Sequence, residues 1–115
     1  MPVIHTHVSV PTTPEQRNAL KAAYGKAITA VPGKTESWLM CPFEDNMPIY
    51  FAGDDSKPAA YVEVNIMGGN TPRSVWEQMS REIMGALESE LGIAQDRTYI
   101  RYTATADWGW NGGNF

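Results

Sequence analysis

An α+β fold is predicted, in which two strand–helix–strand units share one four-stranded sheet and carry both helices on the same face. Three observations predict it. The length, 115 residues, suits one domain spanning 1–115, and such a chain buries roughly two-thirds of its unfolded surface without metal or disulfide staples. Hydrophobic residues at 43% and charged residues at 19% are globular proportions. The chain also restates itself: Thr13-Pro14 and Thr71-Pro72 each follow an alternating segment and open a helical one.

The elements follow in order. Val3 to Val10 alternates, with Ile4, Thr6 and Val8 on one face and Val3, His5, His7 and Ser9 on the other, the period of a strand covered on one side. Thr13 then offers an N-cap, Pro14 suits the first helical position, and Gln16 sits where a capping-box partner belongs. Leu20, Tyr24, Ala27, Ile28 and Val31 recur at helical spacing until Pro32-Gly33, which predicts a helix over 14–31. Ser37 to Phe43 and Met47 to Ala52 read as short strands joined by the hairpin chemistry of Glu44-Asp45-Asn46. Gly53 to Pro58 is a turn.

Tyr61 to Ile66 alternates again. A helix from the Thr71-Pro72 start to Leu91 puts Val75, Met79, Ile83 and Leu87 on one stripe, and Gly92 closes it. Arg97 to Thr103 is the last strand of the sheet. The face bearing His5, His7, Glu63 and Asn65 is too polar for a second helical layer, so it is wet or lines a polar interior between subunits. Trp108 to Phe115 holds three large aromatics among glycines, which either finish the core or line something.

Composition narrows the function. With 9 Lys+Arg against 13 Asp+Glu the net charge is -4, and no basic run occurs, so no nucleic-acid partner is expected. The single Cys41 excludes an internal disulfide framework and a Cys-cluster zinc site, and reads as a buried structural cysteine. The start Met-Pro-Val-Ile-His-Thr-His lacks the basic and apolar regions of a signal peptide, and no apolar run reaches bilayer length. A cytoplasmic protein without membrane attachment is expected, with leaderless secretion left open.

Most local motifs favour ordinary structural roles. Gly33-Lys34-Thr35 copies the end of a phosphate-binding loop, but the first glycine would fall at Ile28 and the triplet follows a helix instead of opening one. On spacing alone Lys34 complements the helix dipole. His5 and His7 share a strand face and could chelate, yet no third ligand is signalled nearby, so they read as exposed strand histidines, with no metal and no cofactor. Gly68-Gly69 reads as a turn.

Pro2 is different. An initiator Met is normally removed when the next residue is small, which would leave a secondary amine on a rigid ring at the head of a strand. Apolar burial and a nearby cation both disfavour the ammonium form, and so would fit that amine for general-base or nucleophilic work near neutrality.

Pro2 occurs in register with Gly33-Lys34 after the first helix, Asp96-Arg97-Thr98-Tyr99-Ile100-Arg101-Tyr102 after the second, and the ending Trp110-Asn111-Gly112-Gly113-Asn114-Phe115. Together these resemble the macrophage migration inhibitory factor family of the tautomerase superfamily over essentially the whole chain. The resemblance implies a homotrimer with helices outside, a polar channel within and active sites at subunit interfaces. It implies Pro2 as the base that moves a proton between carbon and oxygen of an α-keto acid such as phenylpyruvate. Lys34 would bind the carboxylate or oxyanion, and the Ile66-Met67 strand end would lie at the pocket with the Met67 N–H as a donor. Tyr99 of a neighbouring subunit, with Trp38, Trp110 and Phe115, would wall it. An aromatic cleft with few polar groups suits a small aromatic α-keto acid.

Two departures from the family pattern stand out. Arg101 replaces the pocket asparagine, and reads either as a second pocket cation or as a solvated strand or interface charge. Ala59-Ala60-Tyr61-Val62 replaces the Cys-x-x-Cys of animal members, so a thiol oxidoreductase activity has no host here. Two rivals to the tautomerase reading remain. One is a hydratase or decarboxylase of a small unsaturated or keto acid, kept open by Arg73 and Arg101. The other is a cytokine-like interaction protein with a vestigial pocket.

Overall fold

Every residue from 1 to 115 is described by the computed structural model. Strand β1 (Pro2–Val8) is followed by helix α1 (Pro14–Ala27), strand β2 (Phe43–Glu44), strand β3 (Ala60–Met67), helix α2 (Arg73–Leu91) and strand β4 (Thr98–Thr105). The sheet order is β2-β1-β3-β4. Within each unit the strands run parallel, β1 with β2 and β3 with β4, while β1 and β3 join the units antiparallel at the centre. This is the predicted α+β architecture.

Local chemistry sets the helix ends. The Thr13 hydroxyl accepts from the Gln16 N–H at 3.2 Å and the Gln16 carboxamide oxygen accepts from the Thr13 N–H at 2.9 Å, the expected capping box. A short 3-10 turn over Ile28–Ala30 carries α1 on toward Pro32. At α2 the start is one residue later than expected: Pro72 is extended (ψ 143°) and caps through its backbone alone. Gly92 ends α2 in the left-handed region at φ 67°, where a β-carbon is disfavoured.

One face of the sheet packs on both helices. Ile4 and Val8 of β1 and Val62, Val64 and Ile66 of β3 meet Leu20, Tyr24 and Ile28 from the first helical segment and Met79, Ile83 and Leu87 from α2. These positions alternate along the strands, as a half-covered sheet requires. Neither helix is long and apolar enough to cross a membrane.

The middle of the chain departs from expectation. Instead of a strand over 37–43, Glu36–Trp38 forms a 3-10 turn, and the chain meets β1 through Met40 before β2 begins at Phe43. Met40 donates to the Pro2 carbonyl at 3.0 Å, and the Met40 and Pro42 carbonyls accept from Ile4 and Thr6. Pro42 has no N–H with which to extend the ladder. The expected hairpin to 47–52 is also absent. The Asn46 and Met47 N–H groups bond the carbonyls of Val10 and Val8, fastening the segment to the end of β1.

Distant and local contacts finish the framework. Arg97 is buried in the short 3-10 turn just before β4 and donates to the carbonyls of Pro58 (3.0 Å), Asp54 (2.9 Å) and Lys57 (2.9 Å), which anchors the predicted turn. The C-terminal aromatics do not complete the core. They lie on a small hairpin, β5 (Gly109–Trp110) and β6 (Gly113–Asn114), turned by Asn111 (φ 52°) and Gly112 (φ 81°). An Asn-Gly pair with both residues at positive φ is the favoured two-residue hairpin turn.

Candidate active site

Pro2 is buried at the head of β1, level with Ile66 on β3. Beside it opens a cavity of about 510 Å³ lined by Pro2, Trp38, Met40, Trp108 and Trp110 among others. Two distant segments bring its walls together: the turn over Glu36–Trp38 and the C-terminal hairpin. Trp38 meets Trp110 edge to face, with ring centroids 5.1 Å apart, and Phe115 stacks on Trp110 at 6.1 Å. Such offsets suit aromatic quadrupoles. The Trp108 indole N–H donates to the Thr105 carbonyl at 3.1 Å, and the Phe115 N–H donates to the Trp108 carbonyl at 3.0 Å. The hairpin is thereby tied to the end of β4.

Two polar groups act on the chain start without lining the cavity itself. Met67 donates its N–H to the Met1 carbonyl at 2.9 Å. Lys34 follows Gly33, whose φ of 78° turns the chain back after the first helical segment. The Met1 amine is held below its ordinary value, first by partial burial and then by the Lys34 charge. That coupling puts Lys34 within electrostatic reach of the chain start.

Within one chain the expected residues assemble in part. Pro2, Trp38 and Trp110 line one cavity, Phe115 stacks on its wall, and Met67 and Lys34 act on Met1. The Ile66 side chain belongs to the core, and Ile66 does not line the cavity of its own chain. Tyr99 is level with Tyr61 and His7, five residues along the ladder from the Pro2 position, about 17 Å by strand rise. Arg101 is level with Glu63 and His5. Neither reaches the Pro2 cavity of its own chain.

Met40 and Trp108 also line the cavity, though the resemblance did not assign either to the site. Trp108 belongs to the aromatic stretch 108–115, whereas Met40 carries no signal beyond its hydrophobicity. Cys41 is half-buried instead of buried. Its thiol is pushed up to about 11 by burial and by the Glu36 charge, against the opposing effect of Lys21. His7 is buried rather than exposed, and Glu44 reaches both His5 and His7, a third group that sequence spacing did not signal.

No protein-family model matches the chain, and no curated protein does. Solved structures do. The crystal structure of Leishmania major MIF2 is 40% identical with a TM-score of 0.90, over 100% of this chain and 97% of that one. A macrophage migration inhibitory factor homologue from Prochlorococcus marinus is 32% identical with a TM-score of 0.86, over 98% of each chain. The macrophage migration inhibitory factor from Trichinella spiralis, at 23% identity and a TM-score of 0.82 over 98% of this chain and 99% of that one, shares the fold.

Proposed function

The chain belongs to the macrophage migration inhibitory factor family of the tautomerase superfamily, and from that membership we propose that it is a homotrimeric keto–enol tautomerase. The substrate is an aromatic α-keto acid of the phenylpyruvate kind, and Pro2 is the general base once Met1 is removed. The observation that carries the reading is the burial of Pro2 against a cavity walled by Trp38 and Trp110.

The chemistry follows from that setting. The free Pro2 amine takes a proton from the carbon next to the keto group, and the C–H electrons become the C=C bond of the enol. The carbonyl oxygen gains the negative charge and then a proton, so product and substrate are isomers. Lys34 holds the carboxylate or the developing oxyanion and disfavours protonation of Pro2, as its effect on the Met1 amine supports. Stacking in the aromatic cavity holds the substrate ring.

The remaining pocket residues come from a neighbouring chain. Tyr99 is 66% exposed and distant from its own Pro2, and β4 leaves an eight-residue edge without a partner. An exposed aromatic beside an open edge favours coverage by another copy. In that arrangement Tyr99 closes the neighbour's pocket and Arg101 lies nearer to it. The test is phenylpyruvate enolisation followed by ultraviolet absorbance, with malonate semialdehyde and halo-acrylates as alternative substrates. Turnover of the first supports the proposal. Turnover of only the others replaces it with the hydratase or decarboxylase reading, and inertness toward all three favours an interaction protein.

A further inference from the structure

We propose that His5, His7 and Glu44, with Glu63 beside them, form a zinc-binding site on the polar face of the sheet, separate from the Pro2 cavity. Three strands converge there. His5 and His7 are alternate residues of β1, Glu44 is the register partner of His7 on β2, and Glu63 is the register partner of His5 on β3. The His5 Nε2 lies 2.6 Å and the His7 Nε2 3.1 Å from the same Glu44 oxygen, Oε2. A Glu63 oxygen is 3.9 Å from the His7 Nε2. One ligand atom from each of His5, His7 and Glu44 falls within 4.8 Å of the others. A tetrahedral zinc with bonds near 2.0–2.1 Å separates its ligands by about 3.3 Å, so small side-chain adjustments suffice.

A second observation comes from the other His7 nitrogen. The His7 Nδ1 lies 2.9 Å from the Tyr61 carbonyl oxygen. A carbonyl can only accept, so Nδ1 carries the proton. In the neutral ring Nε2 is then a bare lone pair facing a carboxylate oxygen. That contact needs either a second ring proton or a metal ion between the two acceptors. The arrangement matches a metal-binding histidine, whose distal N–H is held by a backbone carbonyl while the other nitrogen ligates. Tyr61 also stacks on the ring, with centroids 5.5 Å apart and planes 18° from parallel.

The donors select the ion. Two imidazoles and two carboxylates suit zinc better than calcium or magnesium, which prefer all-oxygen shells. Glu44 is half-exposed, which leaves an entry path, whereas His7 is buried and fixed. Arg101 neighbours Glu63 in the ladder but forms no ion pair, so the Glu63 carboxylate remains free to complete the shell.

The test titrates the full chain, stripped with a chelator, with zinc by calorimetry, while elemental analysis counts the metal retained. The expected result is one zinc per chain at micromolar zinc, no response to calcium or magnesium, and affinity retained in Cys41→Ser. His7→Gln and the surface variant Glu44→Gln should each weaken binding by at least about tenfold, with circular dichroism reporting whether each is folded. Glu44→Gln keeps the test decisive if His7→Gln does not fold. Absence of zinc binding, or equal binding by Glu44→Gln, would overturn the site and leave a hydrogen-bonded histidine–carboxylate cluster. Loss of binding only in Cys41→Ser would overturn it too.

Discussion

The backbone N–H of Met67 donates to the carbonyl oxygen of Met1 at 2.9 Å, one position beyond the register pair of Pro2 and Ile66. That carbonyl belongs to the same amide that makes the Pro2 nitrogen non-basic. Loss of Met1 therefore does two things together: it creates the amine and leaves the Met67 N–H without its acceptor. An anionic substrate oxygen is a natural replacement. A non-reactive aromatic carboxylate should bind the processed chain at least about tenfold more tightly than the Met1-bearing chain, the effect of one charge-assisted hydrogen bond. Calorimetry on both forms checks this, and equal affinities would remove Met67 from the pocket.

Lys34 acts on the chain start through its charge. Its removal makes the ammonium form of a nearby amine easier to reach, so the amine pKa rises. Lys34→Ala should therefore shift the rising limb of the pH–rate profile to higher pH. It should also raise KM more than it lowers kcat, because a carboxylate contact made equally in ground and transition states mainly affects binding. An unshifted limb with unchanged KM would place Lys34 outside the site.

The open edge of β4 and the exposure of Tyr99 call for a neighbour. Light scattering should give about 38 kDa, three chains of 12.7 kDa. Tyr99→Ala should then lower activity without dissociating the trimer. A monomer at micromolar concentration would exclude Tyr99 from any shared pocket.

Thr6 and Tyr24 are both fully buried, and their hydroxyls lie 2.8 Å apart between β1 and α1. Thr6→Val strands the Tyr24 hydroxyl and should cost about 1–3 kcal/mol in denaturant unfolding. Adding Tyr24→Phe should recover much of that loss, since removing both partners leaves nothing unsatisfied. Additive losses would mean that the pair is not coupled.

Cys41 should be a slow nucleophile. With its thiol pushed up to about 11, little thiolate exists at neutral pH, and the greater intrinsic nucleophilicity of a basic thiolate compensates only in part. Alkylation by iodoacetamide at pH 7.5 should be at least about tenfold slower than that of a free thiol, and should accelerate with pH.

The helices were legible in the sequence because their signals are local. Thr13, Pro14 and Gln16 cap α1 within four residues, and Gly92 closes α2 where an apolar stripe ends. The strand faces were legible from alternation. The segment from 37 to 52 was not, because its partners are distant: Met40 bonds Pro2, and Met47 bonds Val8. Propensity favoured a hairpin there, but pairing with β1 prevailed. The aromatic wall was visible as Trp38, Trp110 and Phe115, yet the hairpin that presents it depends on positive φ at Asn111 and Gly112. Glu44 could not be tied to His5 and His7 from sequence, since 39 positions separate the hydrogen-bonded His5 and Glu44.

The role of Pro2 as the base is tested most sharply by comparing phenylpyruvate enolisation in three preparations sorted by mass spectrometry. These are the chain without Met1, the chain retaining Met1, and Pro2→Ala without Met1. Turnover by the first should rise with pH as the amine loses its proton. The other two should be slower by at least about two orders of magnitude, the usual contribution of a positioned general base. Equal rates in all three would mean that Pro2 is not the base and that another group moves the proton.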